Sequence, residues 1–361
     1  MENLLEKARK IINEVDGKMA ELFVERMRAS EMVAEYKKEH GLEVLDKARE
    51  DDVVRRNSEK ISDPEMQAYY VNFLRSSMAI SRSYQEKLLT GMRVAYSGTE
   101  GAFAHIATEK LFPTAKKVAY GDFASAYRAV EVGECDVAVL PTENSYNGEV
   151  GQVTDLMFSG TLYVNAMTDL SVSQDLLAPR GATLKTVKEV VSHPQALGQC
   201  AKYIREHGFT EREYANTALA AKLVAERADP TLAAIGSAEA AEIFGLEVLD
   251  HDINESKNNT TRFAVFSRSE NPLATGAMGV HTLLFFTVRN EAGALAKAID
   301  VIGKHGFNMR ALRSRPMKNL LWQYYFYVEA EGNVNTPEGK EMMKELSIYC
   351  DRLKTVGSYV N

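Results

Sequence analysis

The residues best suited to chemistry fall into two sets, one basic and one polar. Arg26 interrupts an apolar seam, and an arginine buried without a partner is costly, so it must face a carboxylate or a ligand. Lys37 follows nearly three helical turns later, ~16 Å along the axis. Two extended side chains at that spacing can grip a small dianion. Arg9 shares the heptad position of Lys37 but lies ~42 Å from it, so it can serve only a partner's site in an antiparallel dimer. Asp46, Arg49, Glu50 and Val53 fall at i, i+3, i+4 and i+7, one helix face with a charged first turn. Ser81 and Gln85 lie one turn apart on a further helix.

The polar set comes from three loops. Asn258-Asn259-Thr260-Thr261-Arg262-Phe263 crowds donors ahead of the apolar Ala264-Val265-Phe266. Read alone it is an Asn/Thr-rich turn. Pro141-Thr142-Glu143-Asn144-Ser145 follows an apolar strand at its carboxyl end, the functional side of an α/β sheet. Ser192-His193-Pro194-Gln195 opens a helix with Pro at its first position and Gln199 one turn on, and a helix N-terminus facing a cleft attracts carboxylates. Each loop has a bland reading; the three together point to one cleft.

The elements that must position these residues form three bodies. In residues 1–90, Leu5, Ala8, Ile12, Val15, Met19, Leu22, Arg26, Ala29, Val33 and Tyr36 alternate steps of three and four, the heptad seam of a helix packed along its length. That helix would run to Gly41, roughly 50 Å. Ninety residues cannot cover it, which predicts a homodimer or higher homo-oligomer. A coiled-coil dimerisation module with a polar register residue is the competing reading. A third helix is expected from Pro64 to Leu89.

Residues 92–270 change pattern. Strands at Arg93–Tyr96, Lys117–Tyr120 and Asp136–Leu140 alternate with helices, the mark of a parallel sheet covered on both faces. Helices near 195–207, 216–228 and 237–244, with a strand at 231–235, predict a second lobe and a cleft, as in periplasmic-type binding folds. Gly98-x-x-Gly101 lacks the third glycine and acidic partner of a dinucleotide fingerprint. Residues 279–361 read as βαββαβ, a ferredoxin-like layout, with strands at 280–289, 308–313, 322–330 and 353–359 and helices at 293–305 and 336–349.

The bulk numbers set limits. A chain of 361 residues with 45% apolar and 26% charged residues is that of a multidomain globular protein. The net charge of -7 argues against non-specific nucleic-acid binding. Cys135, Cys200 and Cys350 show no metal-ligand spacing and suit a reducing compartment. The mixed-charge first residues predict no secretory leader, and no apolar run reaches the ~20 residues of a membrane span. A cytoplasmic location is the expectation.

On Arg9, Arg26, Lys37, Asp46, Arg49, Glu50, Ser81 and Gln85, the first segment resembles the all-helical chorismate mutases. That resemblance implies a Claisen rearrangement of chorismate to prephenate, with no metal or other cofactor. Arg9 of the partner, Arg26 and Arg49 would hold carboxylates, and Lys37 and Gln85 would face the ether oxygen. Glu50 and the backbone near Asp46 would take the ring hydroxyl, with Ser81 in support. The second body resembles prephenate dehydratase on Gly98–His105, Glu143-Asn144, Ser192-His193-Pro194-Gln195 with Gln199, and Thr261-Arg262-Phe263. Ala102 and Ala104 depart from the hydroxyls many members carry there. The implied reaction gives phenylpyruvate. Thr261 would be the proton donor, polarised by Glu143, with Asn144, Ser192, Gln199 and Arg262 holding the substrate.

Gly293-Ala294-Leu295-Ala296 and Arg313-Ser314-Arg315-Pro316 resemble the two phenylalanine-binding motifs of the ACT domain, with Asn308 placed as a further contact. The second motif usually begins with Glu; here it is Arg313. The expected whole is a bifunctional enzyme of phenylalanine biosynthesis with phenylalanine as allosteric ligand. An arogenate-preferring dehydratase and a non-catalytic amino-acid-responsive binding protein are the alternatives.

Overall fold

The computed structural model describes residues 3–256, 258–271, 279–317 and 323–360. The chain divides into two compact units, Met1–Arg93 with Thr114–Lys116, and Val94–Pro113 with Lys117–Asn361.

The first unit is helical: α1 (Leu4–His40), α2 (Lys47–Ser58) and α3 (Pro64–Thr90). A capping box on Asn3 and Glu6 starts α1, and Gly41, left-handed at φ 64°, ends it. Within the chain α3 covers the stripe holding Ser30 and Ala34, which are buried. The heptad seam is not buried there: Leu5, Ile12, Val15, Met19 and Leu22 are all exposed.

The second unit opens with β1 (Arg93–Ser97), α4 (Phe103–Leu111), β2 (Lys116–Tyr120), α5 (Phe123–Glu131), β3 (Val137–Asn144), β4 (Gly148–Glu149), α6 (Gly151–Ser159) and β5 (Tyr163–Ser171). The chain then crosses to β6 (Asp175–Ala178), β7 (Glu189–Ser192), α7 (Pro194–Gln199), α8 (Ala201–His207), β8 (Thr210–Glu213), α9 (Thr217–Arg227), β9 (Leu232–Gly236), α10 (Ala238–Phe244) and β10 (Glu247–Asp250), and returns as β11 (Thr260–Ser267). The first lobe's sheet runs β2-β1-β3-β11-β5 with β4 beside β3; the second runs β10-β6-β9-β7-β8. The expected parallel sheet is instead mixed. β1 and β3 are parallel, but β11 enters antiparallel between β3 and β5, because a returning crossover can arrive in either direction. Both crossovers are tied together: Val172 N–H donates to Asn259 O at 2.8 Å and Ile253 N–H to Gln174 O at 2.8 Å.

The helix expected at 195–207 is two, α7 and α8, broken at Cys200. The loop expected at Pro141–Ser145 is mostly strand, since β3 continues to Asn144. Proline lacks the ladder donor, and the register of β11 against β3 shifts where Phe263 meets Pro141.

The chain ends in β12 (Val280–Thr287), α11 (Ala294–Lys304), β13 (Asn308–Pro316), β14 (Tyr324–Glu331), α12 (Pro337–Tyr349) and β15 (Arg352–Val360), with strand order β13-β14-β12-β15. All neighbours are antiparallel, which is the ferredoxin-like arrangement. The expected strand start at Trp322 lies outside the described residues. Alternation assigns the two faces. Leu284, Phe286, Val328 and Ala330 pack under α11 and α12, while Leu283, Phe285, Tyr325 and Tyr327 join the core of the first lobe with Tyr127, Met157 and Phe266. Tyr325 stacks on Phe158 at 4.1 Å and 5°. Among the described residues no helix is long and apolar enough to cross a membrane.

Candidate active sites

In the helical unit, Arg26 projects from α1 onto α3, where its guanidinium donates to Ser81 Oγ and, at 3.1 Å, to Ser77 O. Burial pushes this guanidinium below its usual value while the charge of Glu50 opposes the shift. Glu50 itself pairs with Arg82, which the sequence reading missed. One turn from Ser81, Gln85 is 8% exposed and its Oε1 has no hydrogen-bond partner. An unsatisfied buried amide oxygen is costly; turning the amide over would place its donor Nε2 at the same point. Lys37 Nζ donates to Val44 O at 2.5 Å, which anchors it beside the α1–α2 turn.

Arg26, Glu50, Ser81 and Gln85 therefore converge. Asp46 caps α2 by accepting from Arg49 N–H at 2.9 Å. The Arg49 side chain, 63% exposed, points outward and lies 3.5 Å from Asp52. Arg9 is exposed, and it stands ~25 Å from Arg26 along α1. It does not reach the cluster of its own chain.

In the second unit, a cavity of about 320 Å³ lies where the crossovers meet the two lobes, lined among others by Asn144, Glu149, Gln174, Gln199, Asn259 and Thr261. Asn144 on β3 and Thr261 on β11 are register partners, and Asn144 Nδ2 donates to Thr261 Oγ1 at 2.9 Å and to Asn259 Oδ1 at 2.8 Å. The orientation of that amide is fixed, because Asn144 Oδ1 accepts from the backbone N–H groups of Tyr146 and Asn147, each at 3.0 Å. With its oxygen already accepting, the Thr261 hydroxyl keeps its own proton to donate.

Gln199 Oε1 accepts from Asn259 Nδ2 at 3.3 Å and from Gln174 Nε2 at 3.4 Å, while Gln174 Oε1 is buried without a partner. The N-termini of α7 (His193, Gln195) and α9 (Asn216, Thr217) also reach this cavity. No lysine or arginine lines it among the described residues, so anion binding here falls to helix N-termini and amides.

Three expected residues are elsewhere. Ser192 is fully buried and its hydroxyl donates to Ile235 O at 2.6 Å, so it ties β7 to β9 and does not line the cavity. Glu143 and Arg262 are register partners one residue along from Asn144 and Thr261, which turns both to the opposite sheet face. Glu143 meets Arg313 at 2.6 Å. It cannot polarise Thr261 from there; Asn144 does. Arg262 pairs with Asp169 at 3.0 Å and with Glu329 at 3.7 Å. Its guanidinium is held above its usual value, first by the Asp169 hydrogen bond. It does not line the cavity. Sequence reasoning assigned no role to Gln174, Asn216 or Glu149. Only Asn216 left a signal, as the cap ahead of α9.

In the C-terminal sheet, Gly293 caps α11 at φ 81°, followed by Ala294 and Leu295, and Asn308 Nδ2 donates to Glu331 at 3.0 Å. Ser314 is exposed, whereas Arg313 and Arg315 face the first lobe. Pro316 lines a separate cavity with Phe158 and Tyr325. The two arginines are thus paired with neighbouring acids.

The models of two families match the chain, chorismate mutase type II over residues 8–86 and prephenate dehydratase over residues 94–271. A bifunctional chorismate mutase/prephenate dehydratase of Neisseria gonorrhoeae is 31% identical, over 99% of this chain and 98% of its own. Among solved structures, GqqA, described as a novel type of quorum quenching acylase, superposes with a TM-score of 0.69 at 30% identity, over 74% of this chain and 97% of its own. Prephenate dehydratase from Arthrobacter aurescens, solved in complex with L-Phe, gives 0.67 at 26% identity, over 75% and 90%.

Proposed function

Because the chain belongs to the family of bifunctional chorismate mutases/prephenate dehydratases, we propose that the helical cluster and the lobe cavity are its two active sites. The protein acts in phenylalanine biosynthesis, carrying out both the mutase and the dehydratase reactions. In the first, chorismate rearranges to prephenate within one molecule, so the protein's task is to hold the reactive conformer and stabilise developing charge. Arg26, held by Ser81, binds a carboxylate. Gln85 and Lys37 face the breaking ether bond, and Glu50 takes the ring hydroxyl. Arg49 and the partner's copy of Arg9 complete the carboxylate grip in a homodimer, whose interface is the exposed seam of α1.

In the second reaction the ring carboxylate of prephenate leaves as carbon dioxide and its bonding electrons enter the ring. The ring hydroxyl departs as water once it receives a proton. Thr261 delivers that proton, polarised by Asn144, and the N-termini of α7 and α9 with Gln199 hold the carboxylates. The observation that carries this reading is the Asn144–Thr261 hydrogen bond facing a cavity of substrate size. The C-terminal sheet serves as a regulatory ACT domain that binds phenylalanine around Gly293, Ala294, Leu295, Asn308 and Ser314. The L-Phe complex of the Arthrobacter dehydratase supports that ligand.

The test supplies chorismate, then prephenate, to the pure protein and follows phenylpyruvate. Thr261→Ala should abolish the second step and leave chorismate consumption intact; Arg26→Ala should do the reverse. Equal loss of both activities in either variant would contradict separate sites. Undiminished turnover with phenylalanine up to millimolar concentration would sink the regulatory part.

A further inference from the structure

Two like charges stand opposite one another on the β3–β4 hairpin. Glu143 on β3 and Glu149 on β4 are cross-strand partners, an arrangement that destabilises a ladder unless counter-charged. Strand β13 of the C-terminal sheet supplies the counter-charges two residues apart. Arg313 Nη2 lies 2.6 Å from Glu143, and Arg315 Nη1 lies 3.8 Å from Glu149. Arg315 also donates to Asp155 on α6 at 3.0 Å, and Arg313 lies over the Tyr327 ring at 5.4 Å. The clamp needs room: a Cβ on Gly151 would fall 2.2 Å from Arg315 Nη1. The hairpin so gripped carries Asn144, Asn147 and Glu149, all on the cavity wall.

We infer that Arg313 and Arg315 are positioning residues for the dehydratase site, holding the β3–β4 hairpin so that Asn144 stays aimed at Thr261. This rests on the dehydratase reading of the cavity. Neither arginine reaches the cavity, so their loss acts on the geometry of proton delivery and not on substrate contacts. The charge at 313 therefore serves the neighbouring body.

The test is a double-mutant cycle on the full-length protein, with prephenate turnover as readout and chorismate consumption by the same molecules as internal standard. Glu143→Gln and Arg313→Gln should each lower kcat for prephenate roughly ten- to a hundredfold, with KM within about twofold of wild type and the mutase rate unchanged. The combined Glu143→Gln/Arg313→Gln variant should lose no more than either single one, the non-additivity of a broken pair. Arg313→Lys should retain most of kcat, and the exchange Glu143→Arg/Arg313→Glu should recover much of what Arg313→Glu loses. Wild-type kcat in the single variants, or losses that multiply in the double, would overturn the inference. A wild-type chain that turns over no prephenate would instead overturn the dehydratase reading, and the inference with it.

Discussion

A single side-chain amide sets which way the Thr261 hydroxyl can donate in the lobe cavity. Two backbone N–H groups fix Asn144 Oδ1, so Nδ2 must face Thr261. Asn144→Asp keeps the shape but replaces a donor with an acceptor, and the Thr261 hydroxyl would then turn its proton toward the new carboxylate. The expected outcome is a loss of kcat for prephenate of about a hundredfold or more with mutase activity unchanged, measured in the two-substrate assay. Arg26 was legible in the sequence because a charge inside an apolar seam has few innocent explanations. The split between Asn144 and Glu143 was not, because adjacency along a strand does not say which face is which until the partner β11 is known.

At the scale of elements, His305 at the end of α11 bridges to α12, with Glu345 Oε2 2.9 Å from Nε2 and Glu338 Oε1 2.5 Å from Nδ1. The Glu345 and Glu338 hydrogen bonds raise its pKa above the usual histidine value. A raised folded pKa means the contribution is fully present below the unfolded value near ~6.5. It is lost as pH rises through the folded value. Thermal melting should therefore show stability falling over that window in the wild type, and His305→Gln should flatten the slope; an unchanged slope would refute the assignment. Gly357 on β15 is a second element-level constraint. It sits at φ 149°, and a Cβ there would lie 2.2 Å from Val164 O on β5. Gly357→Ala should cost about 1–3 kcal/mol, read by chemical denaturation. The elements were mostly legible because their periodicities of two and 3.6 are local. The antiparallel entry of β11 and the length of β3 were not, since both depend on pairing between segments more than a hundred residues apart.

At the scale of the molecule, the row of exposed apolar side chains on α1 is the feature one chain leaves unfinished. If a second copy covers it, dilution should dissociate the protein and remove mutase activity, while prephenate turnover per chain persists. Light scattering alongside both assays at falling concentration checks this, and a monomer with full mutase activity would refute it. The sequence carried this expectation in its heptad steps. It carried nothing comparable for the docking of the C-terminal sheet, because Arg313 and Arg315 read there as part of a ligand-binding motif and their acidic partners lie more than 150 residues away.

That docking changes what a boundary in the sequence means. Residues 272–278 separate two recognisable segments of chain, yet Leu283, Phe285, Tyr325 and Tyr327 on one side and Tyr127, Met157 and Phe266 on the other belong to a single core. Severing the chain there would not release two finished modules. It would strip each of an inner wall and leave a wide apolar scar, with Lys354 gone from the carbonyls of Met157 and Gly160 that it closes at the end of α6. A shortened chain ending near residue 271 should accordingly be recovered as aggregate. The C-terminal segment could be exchanged for another only together with the surface it is built against.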